Sequence, residues 1–157
     1  MNDERIPVIS MWAPWILWVF LGWKTIETRD HNKFASLLGK TIILHAARRY
    51  DKDAIALAER YDKRVHHTLD YAKLWCYPRG LVGSVFVKAI RPLSAADSNA
   101  ALIDCSSLKK YGLILENPQL FPVPFPIKGR QGIFYVRKAG NVYVEVLNTV
   151  SAKNANR

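Results

Sequence analysis

The chain has 157 residues, half of them hydrophobic, with 23 Lys+Arg against 13 Asp+Glu and a net charge of +10. These totals exclude a disordered chain and leave no room for two comfortable domains. The positive field favours anionic partners, nucleic acid first and an anionic membrane surface second.

Residues 6–10, IPVIS, predict a first strand. An apolar run follows from Trp12 to Trp23, well short of the roughly 20 residues that a membrane helix needs. It predicts a buried helix from Pro14 to Leu21, stopped at Gly22. The preceding MNDER is not positively charged and no small-x-small site follows, so no secretory signal is expected. No membrane association and a cytoplasmic location are the expectations. KTIETR alternates as a strand does, with Glu27 and Arg29 on one face and Lys24 at the entrance, able to bend toward them. DHNKFASLLGK reads as a connection, and TIILHAA as a β-branched strand whose end carries His45.

DKDAIALAERYDKRVHH predicts a helix with Asp51 and Asp53 at its start. Ala54, Ala58, Tyr61 and Val65 form its apolar stripe, and Arg60, Lys63, Arg64 and His67 a basic one. YPRG turns the chain into the buried strand LVGSVFVKAI. Residues 93–110 are small and polar, a helix or loop excursion. YGLILEN is a further strand. PVPFPIKGRQGIFYV holds three prolines and predicts an edge or irregular strand, a turn at Lys128-Gly129 and a short final strand. AGN turns it into the hairpin partner VYVEVL. One domain over 1–150 and a loose tail over 151–157 complete the expectation.

The class is α+β: a small, mostly antiparallel β-barrel covered by helices. Neither a dinucleotide fingerprint nor a phosphate loop is present, and no cofactor is expected. Cys76 and Cys105 fit no metal or redox spacing and read as a buried pair of free thiols. No Cys/His cluster suggests a metal. His66-His67, adjacent in sequence, reads as solvated.

Lys24, Glu27 and Arg29 admit two readings. They are an ion pair on an exposed strand face, worth little, or the polar wall of a site. In a site, a desolvated lysine is a base or nucleophile, Glu27 an acid or base, and Arg29 a phosphate fork. His45 is a proton shuttle, a phosphate donor or a structural histidine. Trp12 and Trp15 either stack a base or belong to the core. Arg48-Arg49, Arg60, Lys63, Arg64, Lys128, Arg130, Arg137 and Lys138 would together make a track for a nucleic-acid backbone.

The stretches ISMWAPW, GWKTIETR and GKTIILHAA, in this order, resemble the start of an ASCH domain, a branch of the PUA-like superfamily. The resemblance rests on Ser10, Pro14, Trp15, Gly22, Lys24, Glu27, Arg29, Gly39, His45 and Ala46. YPRGLVGSVFV and FPIKGRQGIFYV resemble later pieces of the same family, so the likeness spans about residues 6–136. It implies a PUA-like barrel whose cleft is lined by the Lys-Glu-Arg strand and the helix start, and a role in RNA metabolism. Family members often carry Gln before the proline, where this chain has Ala13. Relatives that deacetylate N4-acetylcytidine carry Lys-x-x-Thr. Here the lysine carries over as Lys24, but Glu27 stands in place of the threonine.

Three functions follow. The first is a module binding RNA or single-stranded nucleic acid. Its cleft of Ser10, Trp12, Trp15, Lys24, Glu27, Arg29 and His45 takes a base or nucleotide. The second is an enzyme acting on RNA or a modified nucleoside, with Lys24 and Glu27 reactive and His45 assisting. The third is a protein-interaction domain in a transcription or translation complex.

Overall fold

The computed structural model describes residues 4–72, 80–107 and 110–146. Seven strands form one sheet: β1 (Ile6–Ala13), β2 (Ile26–Arg29), β3 (Thr41–Tyr50), β4 (Gly80–Pro92), β5 (Tyr111–Phe125), β6 (Phe134–Ala139) and β7 (Val142–Val146). Their order is β2-β5-β4-β3-β1-β6-β7. Only β1 and β3 run parallel; every other neighbour is antiparallel. The α+β class and the mostly antiparallel sheet agree with the sequence. The predicted barrel is an open one, because β2 and β7 remain as edges.

Alternation along β1 and β3 explains the core. Ile9 and Met11 face the same cluster as Ile42, Leu44 and Ala46, and helix α1 (Trp15–Phe20) closes it with Ile16 and Val19. Val8 and Ile43 face the opposite way, toward Leu81, Phe134 and Val136. Ser10 and His45 continue that second face one step along each strand, and they are register partners. The two positions that break the hydrophobic run are therefore brought side by side.

Trp18 points away from the sheet. It packs with Ala54, Ala58, Val65 and Leu102, and its indole N–H donates to Thr68 Oγ1 at 2.9 Å. This cluster joins α1 to α2 (Ala54–Ala58) and to the region of α4 (Ser98–Ala101). Of the predicted apolar stripe, Ala54, Ala58 and Val65 are buried and Tyr61 is half-buried, but the predicted continuous helix is not formed. Asp62 is extended (φ −154°, ψ 112°) and caps a separate 3-10 turn at Lys63–His67, followed by α3 (Thr68–Ala72). The break removes the helical spacing on which the basic stripe depended.

Three boundaries also differ. β1 runs on to Ala13, and β3 to Tyr50, so His45 lies inside its strand rather than at its end. β5 continues to Phe125 through Pro118, Pro122 and Pro124. Its pairing with β2 ends at Ile114, leaving only β4 beside the prolines. A missing N–H costs no ladder bond on such an edge. The β6–β7 hairpin forms as predicted, turning at Gly140 (φ +62°).

Cys105 is buried. Cys76, the turn predicted at 77–79 and the tail predicted at 151–157 lie outside the described residues. Among the described residues no helix is long and apolar enough to cross a membrane.

Candidate nucleic-acid interface

Gly22 (φ +77°) ends α1 and turns the chain back under it, so Trp23 and Lys24 both donate their backbone N–H to Trp18 O. This aims the Lys24 side chain inward. Lys24 is 2% exposed; its Nζ donates to Ala101 O at 2.6 Å, lies 3.8 Å from Glu27 Oε1 and sits 5.1 Å above the Trp15 ring. Burial pushes the Lys24 pKa below the ordinary lysine value, and the Glu27 carboxylate opposes that shift.

Glu27 is buried between two cations. Its Oε1 also accepts the Thr28 N–H at 2.9 Å, and its Oε2 accepts from Arg29 Nη2 at 3.2 Å. Arg29 Nη2 further donates to Ser10 O at 3.3 Å, and the guanidinium lies 4.9 Å over the Phe34 ring. Arg29 Nε is buried with no partner among the described residues. A buried donor of this kind is costly unless something else accepts from it.

These groups line an inner pocket of about 260 Å³, with Trp12, Trp15, Ser10 and Asp51. Trp15 is fixed there: its indole N–H donates to Asp51 Oδ2 at 2.7 Å. Trp12, by contrast, is 43% exposed at the rim, with the Arg49 guanidinium 4.5 Å over its ring. The inner pocket opens beside a larger cleft of about 1390 Å³, walled by residues that include His31, Lys33, His45, Arg48, Lys128 and Arg130. Ser10, Trp12 and Arg29 line both.

His45 is buried on the cleft floor. Its Nε2 lies 2.7 Å from Ile127 O, and a carbonyl only accepts, so this nitrogen carries the proton. Burial lowers the His45 pKa, which leaves the ring neutral near pH 7. Nδ1 is then an acceptor, and the Ser10 hydroxyl, 3.0 Å away, donates to it. Both ring nitrogens are thus occupied by the protein.

The inner pocket and cleft bring together Ser10, Trp12, Trp15, Lys24, Glu27, Arg29, His45, Arg48, Lys128 and Arg130. Arg60, Lys63 and Arg64 line neither. Arg64 is held bidentately by Asp62 and lies 5.1 Å over the Trp23 ring. Arg130 Nε pairs with Glu145 on β7. His31 and Lys33 were not anticipated. They sit in the connection after β2, and a strand that leads out of a site carries its following loop along the rim. Among the described residues no three His, Cys, Asp or Glu are placed to hold a metal ion.

No protein-family model and no curated protein matches the sequence. Among solved structures, the chain is similar to two single-substitution variants of the ASCH protein of Zymomonas mobilis. One is 12% identical with a TM-score of 0.50, covering 98% of this chain and 98% of that one. The other is 13% identical with a TM-score of 0.50, covering 99% and 98%. The unsubstituted protein superposes with a TM-score of 0.48 at 13% identity. At these identities the likeness is one of fold: the chain has the ASCH fold over nearly its whole length.

Proposed function

We propose that this ASCH-fold domain binds RNA or another single-stranded nucleic acid, taking one base into the inner pocket and the backbone along the outer cleft. The observation that carries this reading is the pairing of two spaces of different size that share Trp12 and Arg29. Sites for drug-sized ligands span roughly 300–1,000 Å³. The inner pocket, at about 260 Å³, suits a single ring system, and the outer cleft, at about 1390 Å³, exceeds what one small ligand fills. Trp12 offers a stacking face at the junction, and Arg48, Lys33 and Lys128 supply positive charge along the cleft. A base held in a duplex could not reach the inner pocket, so the reading favours single strands.

Fluorescence anisotropy of labelled single-stranded RNA, single-stranded DNA and duplex, at low and moderate salt, tests it. Single strands are expected to bind best and to weaken as salt rises. Trp12→Ala is expected to weaken binding by about 1–3 kcal/mol, the usual worth of a base-stacking aromatic. Arg29→Ala is expected to lose a similar amount, as charged hydrogen bonds do. Equal affinity for duplex and single strand, untouched by both substitutions, would sink the proposal.

A second reading, an enzyme acting on RNA or a modified nucleoside, draws on one observation. Lys24 is desolvated beside a carboxylate in a pocket of base size. A neutral lysine there is a competent base, and Glu27 can receive or return the proton. Strand cleavage or nucleoside turnover that disappears in Lys24→Ala would favour this reading over the binding module.

A further inference from the structure

Every residue from Pro126 to Ile133 lines one wall of the outer cleft. This segment links β5 to β6 and belongs to no strand or helix. It is nonetheless fastened at several points. His45 Nε2–H donates to Ile127 O at 2.7 Å, and His45 is itself held by the Ser10 hydroxyl at 3.0 Å. Arg130 Nε pairs with Glu145 on the far hairpin strand.

Gly129 sits directly over the Ser10–His45 pair. A Cβ at this position would fall 2.6 Å from His45 Nδ1 and 2.8 Å from Ser10 Oγ, and would meet His45 Cε1 as well. Gly129 is absent from the residues with left-handed backbone. Its glycine is therefore required by close approach and not by conformation. The segment lies flat on the pair beneath it.

Several polar groups of the segment are unspent. Lys128 has no partner for its ammonium among the described residues, and neither do the backbone N–H groups of Lys128 through Gly132. An unpaired lysine and unpaired backbone N–H groups in one cleft wall are available to anionic oxygens. His45, with both ring nitrogens committed, has none left for a ligand.

We propose that residues 126–133 are a strap that grips the phosphodiester backbone of a single strand through Lys128 and its own free N–H groups. Ser10, His45 and Gly129 are positioning residues that lock the strap in place. The inference rests on the nucleic-acid reading above and assigns His45 a different part in it: it holds the wall and does not touch the ligand.

The test is the salt dependence of binding to labelled single-stranded RNA, measured by anisotropy for the wild type, Lys128→Ala, His45→Ala, Gly129→Ala and the Lys128→Ala/His45→Ala double. Each lost phosphate contact is expected to reduce the slope of log K against log salt by about 0.7. Lys128→Ala should lose about one contact, and His45→Ala and Gly129→Ala at least as much. The double should lose no more than His45→Ala alone. His45→Gln, whose amide can donate to Ile127 O, should recover part of the slope. Tryptic cleavage after Lys128 and Arg130 should quicken in His45→Ala relative to the wild type.

A wild type that binds with full slope while Lys128→Ala and His45→Ala keep that slope overturns the strap and leaves the binding function standing. Independent, additive losses in the double overturn the lock. A wild type that binds no oligonucleotide overturns the nucleic-acid reading and the strap's ligand together, and the rate of tryptic cleavage after Lys128 and Arg130 in His45→Ala then still decides the lock: an unchanged rate overturns it.

Discussion

Trp18→Ala is expected to lower the free energy of unfolding by about 3–5 kcal/mol, the usual range for emptying an aromatic site in a core. Trp18 is fully buried with Ala54, Ala58, Val65 and Leu102, and Trp15, Leu21, Trp23, Ile55 and Tyr61 pack against the same cluster. Alanines cannot lean in to fill a void, so the cavity should stay open. The substitution also takes the donor from Thr68 Oγ1 and the edge-to-face contact from Trp15, 5.0 Å away. A domain of this size has about 5–15 kcal/mol in total, so the loss should be plain in a urea titration. Trp18→Phe should cost clearly less, since most of the apolar volume remains. A loss under about 1 kcal/mol in Trp18→Ala would mean that the α2 region is not packed on α1 in solution.

Glu27→Ala is expected to cost about 3 kcal/mol near neutral pH, at the low end of the range for breaking a buried ion pair. The carboxylate lies between Lys24 and Arg29, and its removal leaves two cations facing each other. Arg29 cannot shed its proton, but Lys24 can, which limits the loss. The pH dependence has a definite sign. Burial already holds the folded pKa of Lys24 below its unfolded value, and Glu27 is the main group raising it. Between the two pKa values the unfolded chain binds more protons than the folded one, so stability rises with pH there and levels off above about 10.4. Without Glu27 the folded pKa falls further and this rise begins at lower pH. The gap between wild type and variant should therefore narrow as pH rises through the two folded pKa values of Lys24. Urea midpoints followed from about pH 5 to about pH 10 measure it. A gap that stays constant would show that Lys24 is not the group responding.

Much of this arrangement was legible in the sequence, and the parts that were not have physical causes. The apolar run, the stop at Gly22 and the alternation of KTIETR each carry a strong local signal, and they place Lys24, Glu27 and Arg29 correctly along the chain. The β6–β7 hairpin was equally clear from AGN between two β-branched runs. The helix predicted over 51–67 failed because its apolar spacing survives a break: Ala54, Ala58 and Val65 still converge on Trp18 although Asp62 leaves the helical region. Periodicity reports which side chains are buried, and two short pieces can bury the same set as one long piece. The extent of β5 was hidden by its prolines, which are harmless only because β2 pairs no further along β5 than Ile114, a fact of the partner strand and not of β5 itself. The engagement of both nitrogens of His45 could not be read locally either. Its partners, Ser10 and Ile127, lie 35 and 82 positions away.

The place of β1 in the sheet sets an order on the making of the protein. β1, made before the other six described strands, lies between β3 and β6, and it is paired to residues 43–50 on one side and 134–136 on the other. While a ribosome is still adding residues before about 134, one edge of β1 and its apolar face toward Phe134 and Val136 stay uncovered. Pairing across so many residues is slow to form, because the closing of the loop precedes the contacts that reward it. That edge and that face of β1 must therefore wait, exposed, for the last hairpin. The cleft comes into being at the same moment, since its floor is made early and its wall at 126–133 is made late. A nascent or C-terminally trimmed chain would hold the Lys24 pocket but have no groove leading to it.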